Sequence, residues 1–119
     1  MYMRVSFDFD STLAEQRMKK LAAVFISNGH EVFITTSRMD EDWARVKGNP
    51  NWNKEVFVVA ESLGIPKDRI RFTNGDDKYK LLEGFDIHFD DDFIEIELIE
   101  EHLPNCAAVL ISDFQMPSL

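Results

Sequence analysis

Hydrophobic and polar residues follow two rhythms along this chain. In residues 3–9, MRVSFDF, the strand formers Val5, Phe7 and Phe9 predict a first strand, although Asp8 and Asp10 alternate with the two phenylalanines. Thr12 and Glu15 have the spacing of a capping box and predict a helix start. Met18, Leu21, Ala22 and Phe25 then recur at helical spacing, and Asn28-Gly29 predicts the stop, because glycine enters the left-handed region at little cost. Residues 31–36, EVFITT, are β-branched and aromatic and predict a second strand. Asp40 predicts the cap of a short helix through Val46, followed by a loop, KGNPNWN. In KEVFVVAESLG, Val56, Val59, Ala60 and Leu63 share one helical face, although the VFVV run alone would also suit a strand. IRFT, residues 70–73, predicts a third strand, DKYKLLEG a short helix, and DIHFD, residues 86–90, a fourth strand. FIEIELIEEHL is amphipathic through Phe93, Ile96, Ile99 and Leu103, with early acids that complement the helix dipole, and CAAVLIS, residues 106–112, predicts a last strand.

Strands that alternate with helices predict an α/β fold: a three-layer α/β/α sandwich, Rossmann-like, with about five mainly parallel strands and right-handed crossovers. In such sheets ligands bind beyond the carboxyl ends of the strands, near a switch in strand order. A chain of 119 residues suits one domain, residues 1–119. The balance of 22 acids against 13 lysines and arginines, a net charge of −9, argues against a broad nucleic-acid footprint. It leaves room for a nucleotide or a local basic patch. The one cysteine, Cys106, offers no internal disulfide, so a reducing cytoplasm is expected. No apolar run is long enough to span a membrane, and Asp8 and Asp10 come too early for a signal peptide.

The strand ends carry the chemistry. The first ends in Asp8-Phe9-Asp10, the second in Thr35-Thr36-Ser37-Arg38, and the fourth in Asp90-Asp91-Asp92; Asn74-Gly75-Asp76-Asp77-Lys78 follows the third. A parallel sheet brings these groups to one edge. Two like charges 4 Å apart repel by roughly 4 kcal/mol at an effective dielectric near 20, so three carboxylates need a cation. Oxygen-only ligands with room for water and phosphate suit Mg2+ better than zinc or calcium.

The ordered set DFDST, ITTS, the lysine of DDK and a strand ending in DDD resembles the haloacid dehalogenase superfamily of aspartate-nucleophile phosphatases. The resemblance runs from the first strand to the fourth. Ser11 stands where many members have glycine. The resemblance implies that Asp8 is the nucleophile and a metal ligand. It implies that Asp10 is the general acid and base and offers its backbone carbonyl to the metal. Thr36 would hydrogen-bond the transferring phosphoryl group, and Lys78 would neutralise charge between Asp8 and phosphate. Asp90 would bind the metal, and Asp91 would hold a metal-bound water or Lys78. Thr35 or Ser37 stays open for the role of Thr36, Lys80 for that of Lys78, and Asp91–Asp92 for that of Asp90–Asp91. Neither interval between motifs has room for a cap domain. An open site of this kind implies a large substrate, or closure by a second copy of the chain in a homo-oligomer. Ser37, Arg38, Trp43, Arg45, Lys47 and Trp52 are candidates to bind an anionic or aromatic part of the substrate. The substrate would be a phosphorylated small molecule, a nucleotide or a polynucleotide end.

Taken singly, each motif has a plain reading: a turn of solvated acids at Asp8 and Asp10, a strand residue at Thr36, solvated helix charges at Lys78 and Lys80. Asp90–Asp92 alone reads as a helix start, the tryptophans as packing, and His30, His88 and Cys106 as structural. Two other functions compete with the phosphatase: a phospho-receiver domain and an idle binding module. A receiver carries its phosphorylated aspartate at the end of the third strand, where this chain has Phe72-Thr73-Asn74.

Overall fold

The computed structural model describes residues 2–114. Its sheet contains β1 (Arg4–Phe7), β2 (Glu31–Thr36), β3 (Ile70–Phe72), β4 (Ile87–Asp90) and β5 (Ala107–Leu110). All neighbours pair parallel, in the order β3-β2-β1-β4-β5. Parallel neighbours require crossovers. These hold α1 (Gln16–Ser27), α2 (Glu41–Val46) with α3 (Lys54–Leu63), and α4 (Phe93–His102), while a 3-10 turn, Lys78–Leu81, lies between β3 and β4. The fold is the expected Rossmann-like α/β sandwich, with every strand parallel. Only a turn at Phe9–Leu13 and α1 lie between β1 and β2, so no inserted domain covers the sheet there. No described helix is long and apolar enough to cross a membrane.

Register sorts the strand residues onto two faces. Val5 lies opposite Val32 and Ile87, Ser6 opposite Phe33 and His88, and Phe7 opposite Ile34 and Phe89. Alternation therefore puts Val5, Phe7, Val32, Ile34, Ile70 and Phe89 on one face. Met18 and Ala22 of α1 and Val56 and Ala60 of α3 close over it, and the rings of Phe7 and Phe89 stack at 4.8 Å. The second face carries Ser6, Phe33, Thr35, Arg71 and His88. Leu82, Phe85 and Ile99 pack around Phe33, and the Arg71 guanidinium lies 4.9 Å from its ring centre.

Several sequence expectations shift in the structure. The stretch DKYKLLEG forms a 3-10 turn rather than a helix, since Gly84, with φ of 85°, ends it within a few residues. The first strand ends at Phe7, two residues early. Asp40 caps α2 as expected, accepting the Trp43 N–H. Thr12 and Glu15 do not form a capping box: α1 begins at Gln16, Glu15 is extended, and no side chain caps it. Phe93, expected on the buried stripe of α4, is 59 % exposed, whereas Ile96 and Ile99 are buried.

Candidate active site

After β1 the backbone stays attached to β4 for one residue, because Asp8 N–H donates to Phe89 O. A wide turn then covers Phe9–Leu13, closed by Leu13 N–H to Asp8 O and Ala14 N–H to Phe9 O. Inside it Asp10 is extended and Ser11 is left-handed, at φ of 59°. The turn breaks the strand alternation, so Asp10 does not follow Asp8 into the interior. Asp8 itself stands at the switch in strand order, with β2 on one side of β1 and β4 on the other. Crevices of this kind hold ligands in open α/β sheets.

Asp8, Lys78 and Asp90 are all buried at this edge. Lys78 Nζ donates to Asp8 Oδ1 at 2.8 Å and to Asp90 Oδ2 at 2.7 Å. Exposed Asp91 completes the group, and one oxygen from each of Asp8, Asp90 and Asp91 lies within 4.8 Å of the others. The Thr12 hydroxyl lies 3.2 Å from both Asp8 Oδ2 and Asp91 Oδ1, so it can donate to either. Asp92 N–H donates to Asp90 Oδ1 at 3.0 Å, and Lys78 N–H to Glu95 Oε2. Asp92 itself accepts the Ile94 N–H and caps α4.

Three carboxylates here face one ammonium. Burial first, and the Asp90 charge next, push the Asp8 carboxyl up against the pull of Lys78. Burial also works against the Lys78 ammonium, but the charges of Asp8 and Asp90 outweigh it and raise Lys78 above the usual lysine range. Burial opposes the charge on Asp90 as well, yet the hydrogen bond from His88 and the nearby positive charge hold it below the usual range. His88, wholly buried, is pushed toward its neutral form, so its hydrogen bond to Asp90 is the stabilising contact. An all-oxygen donor set with excess negative charge fits a hard divalent cation, and Asp8, Asp90 and Asp91 are the residues that would hold it.

The other sequence candidates divide. Lys80 pairs with exposed Asp76 at 3.0 Å, away from the cluster, so Lys78 is the lysine brought to the acids. Asp90 and Asp91, rather than Asp91 and Asp92, join the cluster. Thr36 is buried at the end of β2 and its Oγ1 accepts Arg38 N–H, whereas Thr35 bonds Ser6 and Ser37 is exposed. The Asp10 side chain lies outside the acidic cluster and takes two bonds from Arg38, to Oδ2 at 3.0 Å and Oδ1 at 2.7 Å. That hydrogen bonding holds Asp10 below the usual carboxylate range. Arg38 also donates to Glu55 and to Trp52 O, so its guanidinium is engaged by the chain's own acceptors. Trp43 and Trp52 pack on each other at 5.2 Å, and Arg45 pairs with Asp42.

Sequence reasoning gave Thr12 only a capping role, but its hydroxyl lies between two of the acids. His88 read as structural, yet its Nε2 is 2.8 Å from Asp90 Oδ2. The signal was present: His88 stands two positions before Asp90 on one strand, hence on the same face. No protein-family model, curated protein or solved structure matches the chain.

Proposed function

We propose that the chain is a magnesium-dependent phosphomonoester hydrolase working through an aspartyl-phosphate on Asp8. The observation that carries this reading is the buried Lys78 ammonium shared between Asp8 and Asp90 beside Asp91, at the switch in strand order. The motif resemblance to the haloacid dehalogenase superfamily, carried by these same residues, agrees with it.

The resemblance assigns the roles, and the contacts support those of Asp8 and Lys78. Asp8, held by Lys78 and Thr12, presents a carboxylate oxygen that attacks phosphorus while the bond from phosphorus to the leaving oxygen breaks. Asp10 gives that oxygen a proton and then takes one from the water that attacks the aspartyl-phosphate. Water cleaves the bond between Asp8 and phosphorus, which restores the carboxylate and releases phosphate. The Arg38 contact keeps Asp10 ionised, which favours the second half of its task; the first half needs substrate to loosen that pair. Lys78 stays charged throughout, and Thr36 is the hydroxyl assigned to the phosphoryl group. Bound Mg2+ would supply charge neutralisation to the phosphoryl group and to the three acids. The lone buried thiol of Cys106 suits a reducing cytoplasm.

The test is turnover of an aryl phosphate with Mg2+, followed by a panel of phosphorylated metabolites, nucleotides and oligonucleotide ends. Activity that needs Mg2+ and disappears in Asp8→Asn is expected. Equal activity in that variant sinks the mechanism, and Mg2+ binding without turnover of any substrate points to an idle binding module.

A further inference from the structure

We propose that His88 is a positioning residue for Asp90, whose carboxylate it holds in the rotation that lets one lysine ammonium serve Asp8 and Asp90 together. The proposal rests on reading Asp90 as a working carboxylate of the phosphatase site. His88 and Asp90 are both wholly buried, with Nε2 2.8 Å from Oδ2. An ionised carboxylate only accepts hydrogen bonds, so Nε2 is the donor. That leaves Nδ1 of the neutral ring as acceptor for the Ser6 hydroxyl at 3.0 Å, and Ser6 Oγ as acceptor for the Thr35 hydroxyl at 2.7 Å. The three side chains lie on three adjacent strands, β2, β1 and β4, and each of them is wholly buried. They form one directed chain, Thr35 to Ser6 to His88 to Asp90, in which every donor has an acceptor.

The acceptor end explains why the chain matters. Asp90 Oδ2 receives two donors, His88 Nε2 and Lys78 Nζ, and Oδ1 receives Asp92 N–H. Three donors from different directions fix the plane of the carboxylate. Without His88, Oδ2 would be held by Lys78 alone, and Asp90 could turn and draw the ammonium away from Asp8. Packing does not call for this arrangement, because on the other face Val5, Ile34 and Phe89 fill neighbouring positions with apolar side chains. Buried polar groups are costly unless fully bonded, and this chain is fully bonded up to the site and ends there. Partners one shell behind a metal-binding carboxylate typically change metal affinity 10- to 100-fold when removed.

The experiment compares His88→Leu, His88→Gln and Ser6→Ala with the wild-type chain in two measurements. The first is the lysine ammonium region of a proton–nitrogen NMR spectrum in EDTA, with Lys78→Met to identify the Lys78 signal. It needs neither metal nor activity. The second is Mg2+ titration by calorimetry. In His88→Leu the protected Lys78 signal is expected to shift or broaden, and Mg2+ affinity to fall about 10- to 100-fold. Gln carries an amide N–H for Asp90 and an oxygen for Ser6, so His88→Gln should restore both. Ser6→Ala should move both readings in the same direction by less, and it decides the matter if His88→Leu does not fold. A folded His88→Leu chain with the wild-type Lys78 signal and Mg2+ affinity overturns the proposal. So do equal losses in the Leu and Gln variants, or the absence of a protected Lys78 signal in the wild-type chain. A wild-type chain with that signal but no Mg2+ binding removes the phosphatase reading, and the ammonium spectra of the variants then judge His88 alone.

Discussion

The two faces of the sheet are built from the same strands one residue out of phase, and they do different things. One face gathers Val5, Phe7, Val32, Ile34, Ile70 and Phe89 under α1 and α3. The other runs through Ser6, Thr35 and His88 to Asp90 and Lys78. Fully burying a large apolar side chain contributes about 1.5–3 kcal/mol, whereas a typical hydrogen bond contributes about 1 kcal/mol net. The first face, with the larger apolar cluster, therefore supplies the larger share of stability, and the second holds charged groups in fixed positions beside its own smaller cluster around Phe33. Moving one residue on from Phe7, past the end of β1 to Asp8, crosses from one role to the other.

The largest expected effect breaks the polar face alone. Asp8→Asn should lower turnover by about 10^4-fold or more while the thermal midpoint holds or rises, because the variant no longer has a carboxylate that burial penalises. Kinetics and thermal denaturation on one preparation check both halves. Phe7→Ala should do the converse, costing about 3–5 kcal/mol in denaturant unfolding with turnover per folded molecule unchanged. A third effect sharpens the contrast through pH. The Asp8 carboxyl is raised from 3.8 to about 8, so the folded metal-free chain binds more protons than the unfolded one. Its contribution is complete below about 4 and is lost as pH rises through about 8. On the proposed reading, bound Mg2+ would take the place of that proton. The stabilisation by Mg2+, measured as the difference between melts with Mg2+ and with EDTA, should therefore grow from pH 4 to pH 8. A difference that stays flat or shrinks contradicts the account of Asp8. The smallest effect is Lys80→Ala: its pair with Asp76 is exposed and shares no partner with the acidic cluster, so melting and turnover should both stay at wild-type values.

The strands and most helices were legible because EVFITT and the Val56, Ala60 and Leu63 face are periodic over their whole length. Their parallel order followed from the alternation of strands and helices. Asp8, Lys78, Asp90 and Asp91 were legible as a set because each stands at or beyond the end of a strand on the same edge of the sheet. Asp10 does not follow Asp8 inward for a geometric reason: side-chain alternation holds only while the strand lasts, and the left-handed Ser11 bends the chain within the next turn. Thr12 was misread because a capping box and a bridge between acids use the same hydroxyl, and spacing alone does not separate them. Lys78 and Lys80 could not be separated either, because only the 3-10 turn decides which of them faces inward. His88 escaped because a lone histidine has no ligand spacing; its meaning comes from Ser6 and Thr35, on strands that only the folded sheet brings alongside.

The strand order also sets when the site can come into being. Asp8 and Lys78 are 70 residues apart, and β4, which carries Asp90, joins β1 only after β2 and β3 have been synthesised. Closing so long a loop costs entropy before any contact repays it. While the chain is emerging, Asp8 is an ordinary solvated acid with no lysine beside it. On the proposed reading the cation site would form only when β4 pairs with β1 at the centre of the sheet, so capture of a metal ion would report that this pairing has been made.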